Sequence, residues 1–178
     1  MRVFLCIFFA VWSVVIPLGS VCHALGDLGV EVEKASGAGG GIDKCKYCGR
    51  LINPGRVHQD AEVIVKNQLK AALTDRDMGF VEGKTKTPYI NVLIYRFEER
   101  QGGDYAVDKP ARVGFHMHLM NKGAPKRVFV YEEDQEALMD NLFTIGKFMK
   151  RGGKWVTVET LSNEGINKGL DNLLEVVE

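Results

Sequence analysis

The stretch Arg112 to Met120 alternates from end to end. Successive side chains of an extended chain point to opposite faces, so Val113, Phe115, Met117 and Leu119 fall on one side and Gly114, His116, His118 and Met120 on the other. A shift of one residue would move the whole apolar set to solvent, which specifies the register of this strand strongly. Two further segments read as its neighbours. Pro88 opens the strand Tyr89 to Phe97, rich in Ile, Val and aromatic residues on both faces as a sheet interior requires, and Gln101-Gly102-Gly103-Asp104 closes it as a turn. After the turn Asn121-Lys122-Gly123, Arg127 to Tyr131 supplies a third strand with Val128 and Val130 on one face. Such short connections predict antiparallel neighbours.

Three helices are expected around these strands. His58 to Asp75 repeats Ala61, Ile64, Val65, Leu69, Ala72 and Leu73 at helical spacing, with Gly79 ending the segment. A second helix, capped by Glu133 or Asp134, would bury the stripe Leu138, Leu142, Ile145 and Met149 and end at Gly152-Gly153. Thr157 is the expected cap of the last, which buries Leu161, Ile166, Leu170, Leu173, Leu174 and Val177. The order helix, three strands, two helices predicts an α+β domain over residues 56–178, with an antiparallel sheet of at least three strands and its helices mainly on one face.

Ahead of this domain stands an export signal. Arg2 and the amino terminus are positive, Val3 to Ile16 is apolar apart from Ser13, Pro17 breaks the run, and the small-residue stretch Leu18 to Ala24 follows. This order predicts cleavage after Ala24, giving a signal peptide over residues 1–24. Two other outcomes stay open: acylation of Cys22, which follows a Leu-Gly-Ser stretch but has Val21 where a lipoprotein box wants Gly or Ala, and an uncleaved anchor. Residues 25–55 show no convincing apolar period, and Ala35 to Gly41 has the composition of a flexible tether. With 23 basic and 23 acidic residues the chain has no net charge to draw nucleic acid or anionic lipid, so membrane contact is expected only through the anchor or a lipid.

Two constellations could carry chemistry. Cys45-Lys46-Tyr47-Cys48 is a CxxC pair, half of a four-ligand zinc site, which His58 or a partner chain could complete; a local disulfide, two idle thiols or redox exchange are its other readings. Gly49 stands where haem attachment needs a histidine. His116 and His118, at i and i+2 on one strand, project from one face as metal ligands can, and Met120 extends the row toward a copper-binding set. The ordinary alternative is that these side chains cover a half-exposed sheet face or pack beneath a helix. Lys147, Lys150, Arg151 and Lys154 match a helix C-terminus, while Glu132, Glu133, Asp134 and Glu136 suit a helix start. No nucleophile motif, P-loop or dinucleotide fingerprint occurs in the sequence, so no catalytic residues are assigned.

Export signal, Gly-rich tether, the helix beginning Asp60-Ala61-Glu62-Val63-Ile64-Val65 and the strand Ile90-Asn91-Val92-Leu93-Ile94-Tyr95 together resemble small bacterial envelope lipoproteins of auxiliary or assembly function. The resemblance implies a scaffold or binding role with no active site to transfer. Export, a tether and the absence of catalytic motifs then give the leading expectation, a non-enzymatic envelope protein that binds another envelope component, with no cofactor. A periplasmic metal-binding protein holding copper or zinc at His116 and His118, with Met120 or Cys45 and Cys48 assisting, is the alternative, and a hydrolase assembled from scattered residues the third.

Overall fold

The computed structural model describes residues 27–36, 42–84, 88–102, 107–134 and 156–175, together with Gly146 and Met149. Its central strand, β5 (Tyr89–Glu98), is buried along most of its length, as its run of β-branched and aromatic residues requires. On one side β5 pairs antiparallel with β8 (Arg112–Asn121), which pairs antiparallel with β9 (Ala124–Asp134). Lys122 and Gly123 join β8 to β9, both at positive φ (51° and 80°), the conformation that matches a two-residue hairpin to strand twist. This antiparallel half is the one the alternation of residues 112–120 predicts.

On its other side β5 pairs in parallel with β1 (Leu28–Lys34), and β1 in parallel with β4 (Phe80–Glu82). The sheet order is β4-β1-β5-β8-β9, so the sheet is mixed where an antiparallel one was expected. The helix also does not come first: β1 precedes it. Parallel neighbours need a long crossover, and the chain between β1 and β4 supplies it with the helix α1 (Ala61–Thr74). Short paired segments complete the description: β2 (Asp43–Lys44) with β3 (Leu51–Ile52), and β6 (Gln101–Gly102) with β7 (Val107–Lys109).

The expectation of a tether over residues 25–55 is therefore corrected. Leu28 and Val30 are buried in the main core, and Gly29 to Lys34 pair with Tyr89 to Ile94. Burial and a full ladder of backbone hydrogen bonds outweigh the local Gly-rich composition. The run Ala35 to Gly41 thus follows β1 and leads to the β2–β3 hairpin.

α1 and α2 (Val158–Leu174) pack against the same face of the sheet. The core there joins Val65, Leu69 and Leu73 of α1, Leu161, Ile166 and Leu170 of α2, and the inward residues Ile90, Val92, Ile94, Val113, Phe115 and Met117. Thr157 caps α2, its side chain accepting a hydrogen bond from the Thr160 backbone N–H at 3.2 Å. Two glycines let α2 lie flat on the sheet: a Cβ on Gly165 would come within 2.5 Å of the Tyr131 ring and 2.7 Å of Phe115, and one on Gly169 would meet Met117 and Phe129. Of the second expected helix only Gly146 and Met149 are described, both helical; its Leu138, Leu142 and Ile145 and the basic cluster Lys147, Lys150, Arg151 and Lys154 lie outside the described residues, as do the signal peptide and Cys22. Met149, expected on that helix's buried stripe, is 67% exposed. Glu132, Glu133 and Asp134, read as a helix start, end β9 instead. Among the described residues no helix is long and apolar enough to cross a membrane.

Candidate metal centre

The face of the sheet turned away from the helices carries Asn91, Leu93 and Tyr95 of β5 and Gly114, His116 and His118 of β8, with Asn91 opposite His118 and Leu93 opposite His116. A bulge at Tyr95 lets its ring lie over Gly114, where a Cβ would come within 2.5 Å of it, and set its edge against His116 at 5.3 Å between ring centres. This face is not open to solvent. The β2–β3 hairpin folds over it, and Cys45, Ile52, Leu93 and Tyr95 form a second apolar cluster flanked by Ala35, Tyr47 and Cys48.

Hairpin geometry aims both thiols at the histidines. The Cys45 N–H donates to the Arg50 carbonyl, and the Gly49 N–H donates to the Cys45 carbonyl, both at 2.8 Å. Gly49 adopts φ +69°, a left-handed conformation that costs glycine little and that closes the turn tightly after Cys48. Cys45 Sγ then lies 3.3 Å from His118 Nε2, and Cys48 Sγ 3.6 Å from His116 Nδ1. One ligand atom from each of Cys45, Cys48, His116 and His118 lies within 4.8 Å of the others. The sequence presents two half-sites some seventy residues apart, and the fold brings them together.

Zinc–sulfur and zinc–nitrogen bonds of about 2.3 and 2.0–2.1 Å in a tetrahedron place neighbouring S and N atoms about 3.6 Å apart. The two S···N separations, 3.3 and 3.6 Å, lie close to that edge. Two thiols and two imidazoles are also the donor set that suits zinc, and they fill four positions without further help. Met120, one step further along the histidine row, faces Tyr89 across the ladder beyond a register shift at Leu119/Met120. His58 does not join the cysteines; it lies exposed on the surface, 3.7 Å from Asp60.

Electrostatics favour the ligating form of the two histidines. Burial holds His118 down to about 4, with the neighbouring His116 adding to the shift, and burial also lowers His116, against the pull of Glu132. Both rings are therefore neutral near pH 7, as coordination requires. Burial raises the Cys48 thiol, with Cys45 adding to it, so without a cation this thiol stays protonated.

A polar shell surrounds the four. His118 Nδ1 meets Asn91 Oδ1 at 3.3 Å, and Asn91 Nδ2 donates to Glu31 Oε2 and Glu33 Oε1 at 3.0 Å each. The Tyr47 hydroxyl also donates to Glu33, and its ring tilts against His118 at 5.2 Å. Burial pushes Glu33 upward, but hydrogen bonds from Lys46, Tyr47 and Asn91 outweigh it and hold the carboxyl below its ordinary range. On the other flank Tyr95 Oη donates to Glu132 at 2.7 Å. The sequence reading missed this shell. Asn91, a lone amide inside an apolar strand, was its one available signal.

No protein-family model and no curated protein matches the chain. Solved structures align over most of the chain. The PelC dodecamer from Paraburkholderia phytofirmans aligns at TM-score 0.51 and 12% identity, over 83% of this chain and 87% of that one. A DUF330 protein from Xanthomonas campestris aligns at 0.42 and 12% identity over 85% and 88%, and a minor lipoprotein from Acinetobacter baumannii at 0.37 and 9% over 82% and 94%. At 12% identity the PelC likeness is one of fold alone.

Proposed function

We propose that this chain is an exported, non-enzymatic zinc-binding protein of the cell envelope, in which Cys45, Cys48, His116 and His118 hold the ion and the domain serves as a binding or assembly module. The observation that carries the metal reading is the convergence of four ligand atoms, two from the hairpin and two from β8, within 4.8 Å of one another in a buried site. A site closed by four protein ligands leaves no position for a reactive water, which marks it as structural. Its work would be to pin the β2–β3 hairpin to the sheet, because that hairpin adds only a small apolar cluster of its own. Bound zinc also keeps the cysteine pair from forming a disulfide in an oxidising compartment. The envelope placement is supported by the order of charge, apolar run and small residues over residues 1–24.

The test is metal analysis of the reduced, purified protein, with cobalt substitution as the spectroscopic readout. One zinc per chain and the thiolate charge-transfer and strong d–d bands of tetrahedral cobalt are expected, lost in a Cys45→Ser, His118→Ala variant. Sub-stoichiometric metal after reconstitution under reducing conditions, with no such bands, would overturn the reading. Fractionation of cells tests the placement: a mature chain in the cytosol would refute it.

A further inference from the structure

Asn91 sits fully buried near the start of β5, between Ile90 and Val92, where an amide is costly unless every polar atom is partnered. Its partners fix more than its own position. Glu31 and Glu33 can only accept hydrogen bonds, so the Asn91 atom 3.0 Å from each must be the Nδ2 amide, donating one hydrogen to each carboxylate. The amide oxygen is then the atom facing His118, and it can only accept. His118 must in turn carry its proton on Nδ1, which leaves Nε2 with a bare lone pair, 3.3 Å from Cys45 Sγ and pointed into the ligand cluster. The carboxylates are themselves held from outside, Glu31 by Lys84 at 3.0 Å and Glu33 by Lys46 at 2.6 Å. The chain of fixed roles therefore runs from two surface lysines, through two carboxylates and one amide, to one ring nitrogen.

His116 has no equivalent. Its Nδ1 faces Cys48, while its Nε2 is buried with no hydrogen-bond partner among the described residues, and its ring is held by the edge contact with Tyr95. The two histidines thus enter the cluster on different terms, one set by hydrogen bonding and one by packing.

Resting on the zinc reading above, we infer that Asn91, oriented by Glu31 and Glu33, is the positioning residue of the centre: it selects the His118 nitrogen that coordinates and thereby sets the affinity for the ion. Groups behind a ligating histidine fix its tautomer and raise its basicity, and their loss weakens metal binding about 10- to 100-fold. Asn91→Leu, similar in volume, should lower zinc affinity by about that factor. Asn91→Asp keeps the acceptor but sets a third carboxylate beside Glu31 and Glu33; adding Glu33→Gln restores a donor between them and should recover most of the loss.

The experiment measures zinc affinity of the full chain by competition with a chromophoric chelator in wild type, Asn91→Leu, Asn91→Asp and the Asn91→Asp, Glu33→Gln pair. In parallel, long-range proton–nitrogen correlation spectra of the metal-free, reduced proteins report the His118 tautomer. Expected are the Nδ1–H form in wild type, mixed tautomers with weaker binding in Asn91→Leu, and recovery in the double variant. Should Asn91→Leu fail to fold, the contrast between Asn91→Asp and the double variant carries the test. Wild-type affinity and an unchanged tautomer in Asn91→Leu, or no recovery in the double variant, would overturn the role of Asn91. A wild type that binds no zinc would overturn the metal reading, while the tautomer spectra would still decide what Asn91 does.

Discussion

Acidifying the metal-free protein should destabilise it in a defined window. His118 is buried and neutral in the fold, with its pKa held to about 4, against an ordinary value of 6.5. Below that ordinary value the unfolded chain binds a proton that the native ring refuses. The stabilising preference for the neutral form is therefore fully present above pH 6.5, declines as the pH falls from 6.5 toward 4, and is exhausted below. A separation of that size corresponds to on the order of 3 kcal/mol over the whole window, of which about 2 kcal/mol is lost by pH 5. His116, shifted in the same direction by the same burial, adds to the loss. Glu33 works at lower pH, since a carboxyl held below its ordinary value of 4.5 stabilises the fold until it is protonated. The assay is urea unfolding of reduced, chelator-treated protein at pH 7.5 and pH 5, beside a His118→Gln variant that cannot titrate at this position. Equal stability of the wild type at the two pH values would refute the argument, and so would the same loss in the variant.

Other outcomes follow from the packing and the site. Removing residues 27–34 should abolish cooperative unfolding, because β1 bridges β4 and β5; a truncated chain with an unchanged circular dichroism melt would return that segment to a tether. Gly165→Ala should cost about 1–2 kcal/mol by thermal or urea unfolding, since crowding the Tyr131 and Phe115 rings outweighs the roughly 1 kcal/mol that alanine gains in a helix; a stabilised variant would show that α2 stands off the sheet. Leu69→Ala, at a fully buried position, should cost about 2–5 kcal/mol, checked by the shift in denaturation midpoint. Stoichiometric zinc should protect Cys45 and Cys48 from alkylation, measured by mass spectrometry, and equal labelling rates with and without zinc would contradict the assigned ligands.

Much of the antiparallel half could be read from residue order alone. The alternation through Val113, Phe115, Met117 and Leu119 placed His116 and His118 on the opposite face, and that is where they lie. The spacing of Val65, Leu69, Ala72 and Leu73 marked α1 within a few residues, and Thr157 marked the start of α2. What stayed hidden depends on distance along the chain. Val30, Glu31, Val32 and Glu33 alternate as a strand should, but the segment is short, its partners lie about sixty residues away, and the glycines after it carry the opposite local signal. The centre was visible only as halves for the same reason: no local pattern says that a hairpin at residues 43–52 will fold over the outer face of β8. Glu132 misled in another way. Its acidic neighbours suit a helix start, yet its carboxylate accepts from Tyr95 across the sheet, a tertiary preference that overrides local composition.

The placement of β1 also sets how close the domain can stand to whatever holds its amino terminus. From Cys22 to Leu28 the chain advances six residues, and at roughly 3.3–3.6 Å per extended residue that is a reach of about 20 Å. A domain beginning near residue 55 would have had a leash several times longer and could have sampled a wide hemisphere above the membrane. With a lipid on Cys22, Leu28 and the sheet it belongs to would instead be held within about 20 Å of the anchored residue, so any partner would have to meet the domain close to the bilayer surface.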